Sequence, residues 1–531
     1  MIAEDLQQLG LSYDLFTRTT TTQPLRRGAG DVHSACCTNG YVFPQTHAAA
    51  RSARRTGRTL PDRYIEGTCP ICGYPHARGD QCDNCGNQLD PTDLIEPQLA
   101  GSTARRRLFV ETEHYFLDLP APSPACWATG CRHADALAAE RAPVLPEPAR
   151  RPAAARDHRE TSTGACRYRS TAGADRPDKR LYVWFDAVIG YLSASDRVGG
   201  ADRRPGRVAT VLAGARTLGA TTSWARTTSS STAEIWPAIL FGYSGPGDRG
   251  GNPGRYGALE RAVLRWCPAS SCTMEGRKFL LVAQRGDLRA RHAVPLRPDA
   301  LRYYLAAAGP ETQDTDFTWA EFLRRNNDEL VAGWGNLVNR TIAMTAKNLG
   351  AIPAAGALAD ADQALLATTR TAFDTVGDLL SRSRQRAAII EAMRVVGRRT
   401  STCRRLRPGS CRTEDPDRMA TVLHVALQAV DDCKTLLTPF LPSSSSRVHA
   451  QLGGTGTWAG MPDLVPGENR IVAGDAADSS YSVLTGDYET AARWESTPIE
   501  VGRPIAPPTP VFTKLDPSIV DEELARLEAG S

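Results

Sequence analysis

The stretch Cys69-Pro-Ile-Cys72-Gly73 is followed by Cys82-Asp-Asn-Cys85-Gly86, with nine residues between Cys72 and Cys82. Two Cys-x-x-Cys turns on a short loop can bring four thiolates to the corners of a tetrahedron about 4 Å across, the geometry Zn²⁺ requires. The glycine after each pair lets the backbone fold around a metal with amides directed at sulfur. A redox dithiol or two chance pairs are the alternatives, and a redox pair would need no second copy. Four protein ligands leave no open position, so Cys69, Cys72, Cys82 and Cys85 hold a fold together. Chemistry has to come from elsewhere in the chain.

Working outward, 531 residues predict three or four domains, and a net charge of +4 gives no global signal for a polyanion. There is no apolar run of about 18 residues, and Met1-Ile-Ala-Glu-Asp-Leu6 lacks a signal-peptide pattern. Fourteen cysteines beside a thiolate metal frame suit a reducing compartment, so a cytoplasmic protein with no membrane association is expected. Five lysines stand against 58 arginines, a ratio that points to GC-rich coding DNA.

Two textures alternate. Residues 121–170 contain 13 Ala, 8 Arg and 6 Pro but no Lys, Ile, Phe or Met. So few large apolar groups cannot offset the ordering entropy of that length. Similar text lies near 23–37, 47–55, 196–231, 280–297 and 397–412, whereas every lysine falls in well-patterned text. Disordered linkers are one reading; frame-shifted readings of a GC-rich gene, restored downstream, fit the abrupt edges better. Translating the DNA in its other two frames tests this.

The helical part is clear. Thr318-Trp-Ala-Glu321 reads as a capping box, and Phe322, Leu330, Val331, Trp334, Leu337, Val338, Ile342 and Met344 recur largely at helical spacing. Gly350 and Pro353 supply the stop. A second long helix is predicted from Met419 to Phe440, and Asp360 to Val396 gives one or two more, forming a bundle of roughly 150 residues. Asp431-Asp432 reads as a solvated face, and Gly453-Gly454 as a turn. Arg180-Leu-Tyr-Val-Trp-Phe-Asp-Ala-Val-Ile-Gly-Tyr191 begins as a buried strand, with Trp184, Asp186 and Tyr191 gathered where it ends. Ligands of open α/β sheets bind there, although a packed core strand reads the same way.

Several segments together resemble methionyl-tRNA synthetases. They are Arg63-Tyr-Ile-Glu-Gly-Thr-Cys-Pro-Ile-Cys-Gly-Tyr74 with Ala77 to Leu89, Phe109 to Leu119, Val183 to Tyr191, Thr273-Met-Glu-Gly-Arg-Lys-Phe279, Pro298-Asp-Ala-Leu-Arg-Tyr-Tyr304 and Asn327 to Arg340. They occur in the family's order over about two-thirds of the chain. The resemblance implies an α/β fold: a class I Rossmann-like nucleotide-binding domain, here incomplete, with a zinc-knuckle insertion, followed by an α-helical anticodon-binding bundle. The corresponding divisions are 1–55 and 101–300 for the two halves of the nucleotide-binding domain and 56–100 for the knuckle. The bundle takes 301–462 and a C-terminal tail 463–531, with 121–170, 196–231 and 280–297 atypical.

The resemblance also implies an activity: joining methionine to ATP as an adenylate, with Mg²⁺, then to tRNA(Met), by a monomer holding structural Zn²⁺. Trp184, Ala187 and Tyr191 match the methionine pocket, where an aromatic wall suits a thioether. Asn336 and Arg340 match residues that read the anticodon; at i and i+4 they share a helix face. Two phosphate-binding signatures depart from the family. The His-Ile-Gly-His text belongs upstream of where this chain starts. The mobile Lys-Met-Ser-Lys-Ser loop begins at Lys278-Phe279 and continues as Leu280-Leu281-Val282, three side chains that cannot donate to phosphate oxygens. The histidine expected before Ile235-Trp-Pro237 and the tryptophan expected before Glu414-Asp-Pro416 are also replaced. Losing both signatures is expected to lower activity by about 10⁴-fold or more. A non-catalytic, zinc-containing tRNA-binding relative and a zinc-knuckle interaction module are the rival readings. The text Pro507 to Asp516 reads as a short tail packing back on the bundle.

Overall fold

The computed structural model describes residues 2–11, 32–50, 64–79, 82, 84–85, 87, 89–99, 109–118, 155–156, 158–160, 167–169, 175–181, 189–190, 220–225, 236–245, 264–269, 272–278, 298–311, 313–405, 415–468, 480–485 and 492–529. The chain divides into two units: residues 1–16, 270–465 and 482–531 in one, residues 17–269 and 466–481 in the other.

In the 17–269 unit, strand Val42–Ala50 pairs antiparallel with Phe109–Leu117, in register from Val42 opposite Leu117 to Ala50 opposite Phe109. Ala220–Ala225 and Leu264–Ala269 pair in parallel. A parallel pair needs a crossover connection, which is the mark of an α/β arrangement. Helix Trp236–Ser244 buries Trp236, Ile239, Leu240 and Tyr243. The Asn39 amide donates to the carbonyls of Gly242 and Tyr243 at 2.9 and 3.3 Å, groups that a helix end leaves unpaired. Several stretches whose composition looked unlike folded protein are regular where described: helical at 32–38 and 397–405, extended at 47–50, 155–156, 158–160, 167–169 and 220–225. At 47–50 the reason is the pairing with Phe109 to Thr112, which supplies backbone hydrogen bonds whatever the side chains are. The remainder of those stretches lies outside the described residues.

The other unit is helical, with a large core. Trp319–Arg324, Arg325–Gly335 and Asn336–Asn348 run end to end. Their buried residues Phe322, Leu330, Trp334, Leu337, Val338 and Ile342 meet Phe373 and Val376 of Asp360–Ser381, and Ile389 and Val395 of Gln385–Arg405. Pro416–Leu437 contributes Leu427, Val430 and Leu436 to the same core. Each such side chain is worth roughly 1.5–3 kcal/mol when fully buried. The helix stops at Asn348, ahead of Gly350, as the sequence predicts. The tail also packs back as expected: Val511 and Phe512 are buried in this core.

Three sequence expectations are corrected here. Thr318 caps the helix, accepting from the Glu321 N–H at 3.3 Å, but the Glu321 carboxylate does not reach back. It pairs instead with Arg324 at 2.7 Å and Arg325 at 2.8 Å, one turn on, where a full guanidinium charge outcompetes a backbone amide. The periodic run is not one α-helix, because Arg325–Gly335 is wound as a π-helix. In that segment Asn326 donates to the Thr513 carbonyl, and Asn327 exchanges two bonds of 2.9 Å with the Leu515 backbone. Thus the side chains of the wide turns anchor the tail. Finally, Asp431-Asp432 is no solvated face. Asp432 is buried, accepting from Gln428 and from Ser496 at 2.8 Å. Asp431 holds the buried Lys434 ammonium at 2.6 Å, which itself lies 3.4 Å from the centroid of the Trp458 ring.

One pair invites a stability test. Asp362 is buried at the start of its helix, accepts from the Ala359 N–H at 3.0 Å, and takes both guanidinium arms of Arg418. Burial pushes its carboxyl up, but the Arg418 bonds and the Ala359 amide outweigh this and hold it below the ordinary Asp range. A depressed carboxyl contributes stability above its unfolded pKa and loses it as pH falls through the folded one. Asp362→Asn is therefore expected to cost about 3 kcal/mol at pH 7. The difference from the parent should shrink below about pH 4 in denaturant melts. Equal stability at pH 7 would show that the pair contributes nothing.

Candidate functional site

The four predicted ligands converge. The sulfurs of Cys69, Cys72, Cys82 and Cys85 all lie within 4.8 Å of one another, the one such cluster among the described residues. Cys69 and Cys85 are 4.0 Å apart, Cys72 and Cys82 3.6 Å. Zn–S bonds of about 2.3 Å at tetrahedral angles place sulfurs roughly 3.8 Å apart, so the donor set fits zinc. Strand Ile65–Thr68 leads into the first turn and pairs with Ala77–Arg78 and Ile95–Leu99 on its two sides. Gly73 sits at φ 73, the left-handed backbone that closes this turn without a Cβ penalty. The Tyr74 amide then faces the Cys72 sulfur.

Two asparagines complete the surroundings: Asn84 donates to Cys72 at 3.7 Å and Asn87 to Cys85 at 3.2 Å. The Tyr74 amide and Asn84 hold the exposed Cys72 thiol down at about 6, whereas burial pushes Cys82 up to about 11. Amide donors of this kind orient and stabilise thiolate ligands. Asn84 and Asn87 were not singled out from the sequence; the signal was an asparagine on either side of Cys85, one residue before it and two after.

The other predicted residues fall into separate places. Lys278 closes a hairpin in which Cys272–Met274 pairs with Arg277–Lys278, Thr273 opposite Lys278. Strand Thr315–Phe317 lies parallel on the other side, with Asp316 opposite Thr273. Asn336 and Arg340 both lie on Asn336–Asn348, Asn336 half-buried and Arg340 exposed, so the i, i+4 spacing is realised on one helix. Trp184, Ala187 and Tyr191 lie outside the described residues, as do Phe279 to Val282.

Among the described residues, no helix is long and apolar enough to cross a membrane. The chain matches the family model described as tRNA synthetases class I (M) over residues 1–342. This places it among the class I aminoacyl-tRNA synthetases. It is 50% identical to the methionine–tRNA ligase of Thermobifida fusca over 557 aligned residues, covering 100% of this chain and 87% of that one. It is 48% identical to the methionine–tRNA ligase of Salinispora arenicola, covering 99% and 87%. Its fold is similar to that of Mycobacterium tuberculosis methionyl-tRNA synthetase in its free form, with a TM-score of 0.65 at 19% identity over 97% of this chain and 86% of that one. The complex of that enzyme with methionyl-adenylate gives 0.66 at 20%, over 96% and 85%. The chain belongs to the methionyl-tRNA synthetase family, the methionine–tRNA ligases.

Proposed function

We propose that this chain binds methionine, ATP with Mg²⁺, and tRNA(Met), and forms methionyl-adenylate far more slowly than its relatives do. The observation that carries the second half is the text after Lys278. A phosphate-binding loop works by aiming donors at charge that develops in the transition state. Lys278-Phe279 begins the loop as in the family, but Leu280-Leu281-Val282 offers three apolar side chains in place of its serine-rich remainder. Losing one such donor costs about 10²- to 10³-fold in rate, and the loop loses several. Lys278 keeps one ammonium for the triphosphate. Trp184, Ala187 and Tyr191 enclose the methionine side chain, and Asn336 and Arg340 bond the edges of anticodon bases. Cys69, Cys72, Cys82 and Cys85 hold structural zinc, which keeps the knuckle folded and takes no part in a bond-making step. The composition of 280–297 supports a frame-shifted reading of this region, checked by translating its DNA in all three frames.

The test is methionine-dependent exchange of pyrophosphate into ATP, run beside the Thermobifida fusca relative. A rate at least about 100-fold lower supports impaired activation; a rate within about tenfold overturns it. The rival, a tRNA-binding relative without catalysis, is favoured by the intact helical unit on which Asn336 and Arg340 stand. It requires exchange at the no-enzyme level together with anticodon-dependent retention of tRNA on filters. Retention of any RNA that fades with salt counts against it.

A further inference from the structure

The hairpin that leads to Lys278 is fastened at its turn by groups from a strand 40 residues away. Glu275 and Gly276 form the turn at φ 50 and 71, both in the left-handed region. The Gly276 N–H donates to both oxygens of Asp316 at 3.0 Å, and the Thr273 hydroxyl donates to Asp316 Oδ1 at 2.5 Å. The Glu275 N–H donates to the Phe317 carbonyl at 2.9 Å. In return, the Glu275 carboxylate accepts from the Trp319 N–H at 2.8 Å, an amide that the first turn of a helix leaves unpaired. Tyr304 adds a bond from its hydroxyl to the Asp316 carbonyl at 3.2 Å. Across the three strands, Lys278, Thr273 and Asp316 stand on one rung. None of this was legible in the sequence, because the two segments pair only in the folded chain.

We propose that Asp316 is a positioning residue for adenylate formation: it fixes the Met274–Arg277 turn and so the direction in which the chain leaves the hairpin at Lys278. The inference rests on reading Lys278 as the first residue of the phosphate-binding loop. One of the two left-handed residues, Glu275, is not glycine and is strained there, so the turn persists only where surrounding contacts hold it. Bonding Gly276 and Thr273 to one carboxylate supplies such contacts, and the Glu275 bond adds the hairpin to the start of the Trp319 helix. Lys278 is then delivered from a fixed base. Positioning of this kind acts on the step that uses the triphosphate and leaves methionine binding alone.

The experiment compares the full chain with Asp316→Ala and Asp316→Asn by two measurements. The first is hydrogen exchange of the 272–278 segment, with the 336–348 and 416–437 helices as internal references. Asp316→Ala is expected to speed exchange in the segment at least about tenfold and leave the reference helices unchanged. Asp316→Asn, which keeps an oxygen for the Gly276 N–H and the Thr273 hydroxyl, should stay within about threefold of the parent. The second is methionine-dependent pyrophosphate exchange, in which Ala lowers kcat/KM for ATP at least about tenfold with KM for methionine unchanged, and Asn restores it. Unchanged protection in Ala, or a loss shared equally by Ala and Asn and by both substrates, overturns the proposal. If the parent shows no pyrophosphate exchange, protection alone decides. If the parent is as fast as its relatives, the impaired-activation reading fails while this test still reads.

Discussion

Chelating zinc from the intact chain is expected to unravel the 64–99 module and leave the helical unit folded. The reason lies in how little else holds that module. Among the described residues its buried core is Ile65, Cys69, Ala77, Cys82 and Leu94, and two of these five are candidate metal ligands. Three short strands with an irregular register between Glu66 and Thr68 add few backbone bonds. A segment of this size has too small a core to fold without a staple. Structural zinc in small domains supplies roughly 10–16 kcal/mol at pH 7, so metal binding and folding are one event.

Substitutions should follow burial. Cys69 and Cys82 are buried and Cys72 is exposed, so Cys82→Ser is expected to abolish zinc retention, whereas Cys72→Ser, whose position water can fill, weakens it. The helical unit has a large buried core of its own, Phe322, Trp334, Ile342, Ile389 and Leu436 among it, so its far-ultraviolet circular dichroism should persist through chelation. The check is metal analysis before and after chelation, with hydrogen exchange at 64–79. Less than one zinc per purified chain, or unchanged protection after its removal, would remove the structural role.

What the sequence carried was local, and what it hid was long-range. The four cysteines could be placed because two turns and a nine-residue loop leave few arrangements, and the sulfurs do converge within 4.8 Å. The Thr318 cap was legible because the hydroxyl and the amide it accepts from are three residues apart. Asn336 and Arg340 were placed on one face by helical period alone. The periodic run gave no sign of π winding, since side-chain spacing changes by only one residue over a turn and tail contacts at Thr513 and Leu515 accompany it. Asp431-Asp432 misled for a similar reason. A pair of carboxylates suits a solvated face unless a cation and hydroxyl reach it, and Lys434, Gln428 and Ser496 do. The Glu321 reversal, by contrast, is local: two arginines one turn ahead compete for the carboxylate. The methionine pocket stands on resemblance alone, because Trp184, Ala187 and Tyr191 lie outside the described residues.

Replacing Trp334 separates packing from polarity in the helical unit. This side chain is completely buried, at the end of the π-helical segment and two residues before Asn336. Among the described residues its indole N–H has no acceptor. Trp334→Ala removes a large side chain from a packed core and is expected to cost about 3–5 kcal/mol. At roughly 2–4 °C per kcal/mol for a unit of this size, the melting temperature should fall by about 6–20 °C. Trp334→Phe keeps most of the apolar area and removes an N–H with no acceptor among the described residues, so its cost should stay below about 1.5 kcal/mol. The same pair reads on RNA binding. If Trp334 anchors the helix that presents Asn336 and Arg340, the Ala variant should lose tRNA retention at temperatures where it is still folded, and the Phe variant should keep it. An Ala variant as stable as the parent would mean that the core closes without this ring. Equal costs for Ala and Phe would mean that the indole N–H is bonded after all, and that its polarity rather than its volume holds the π-helical segment in place.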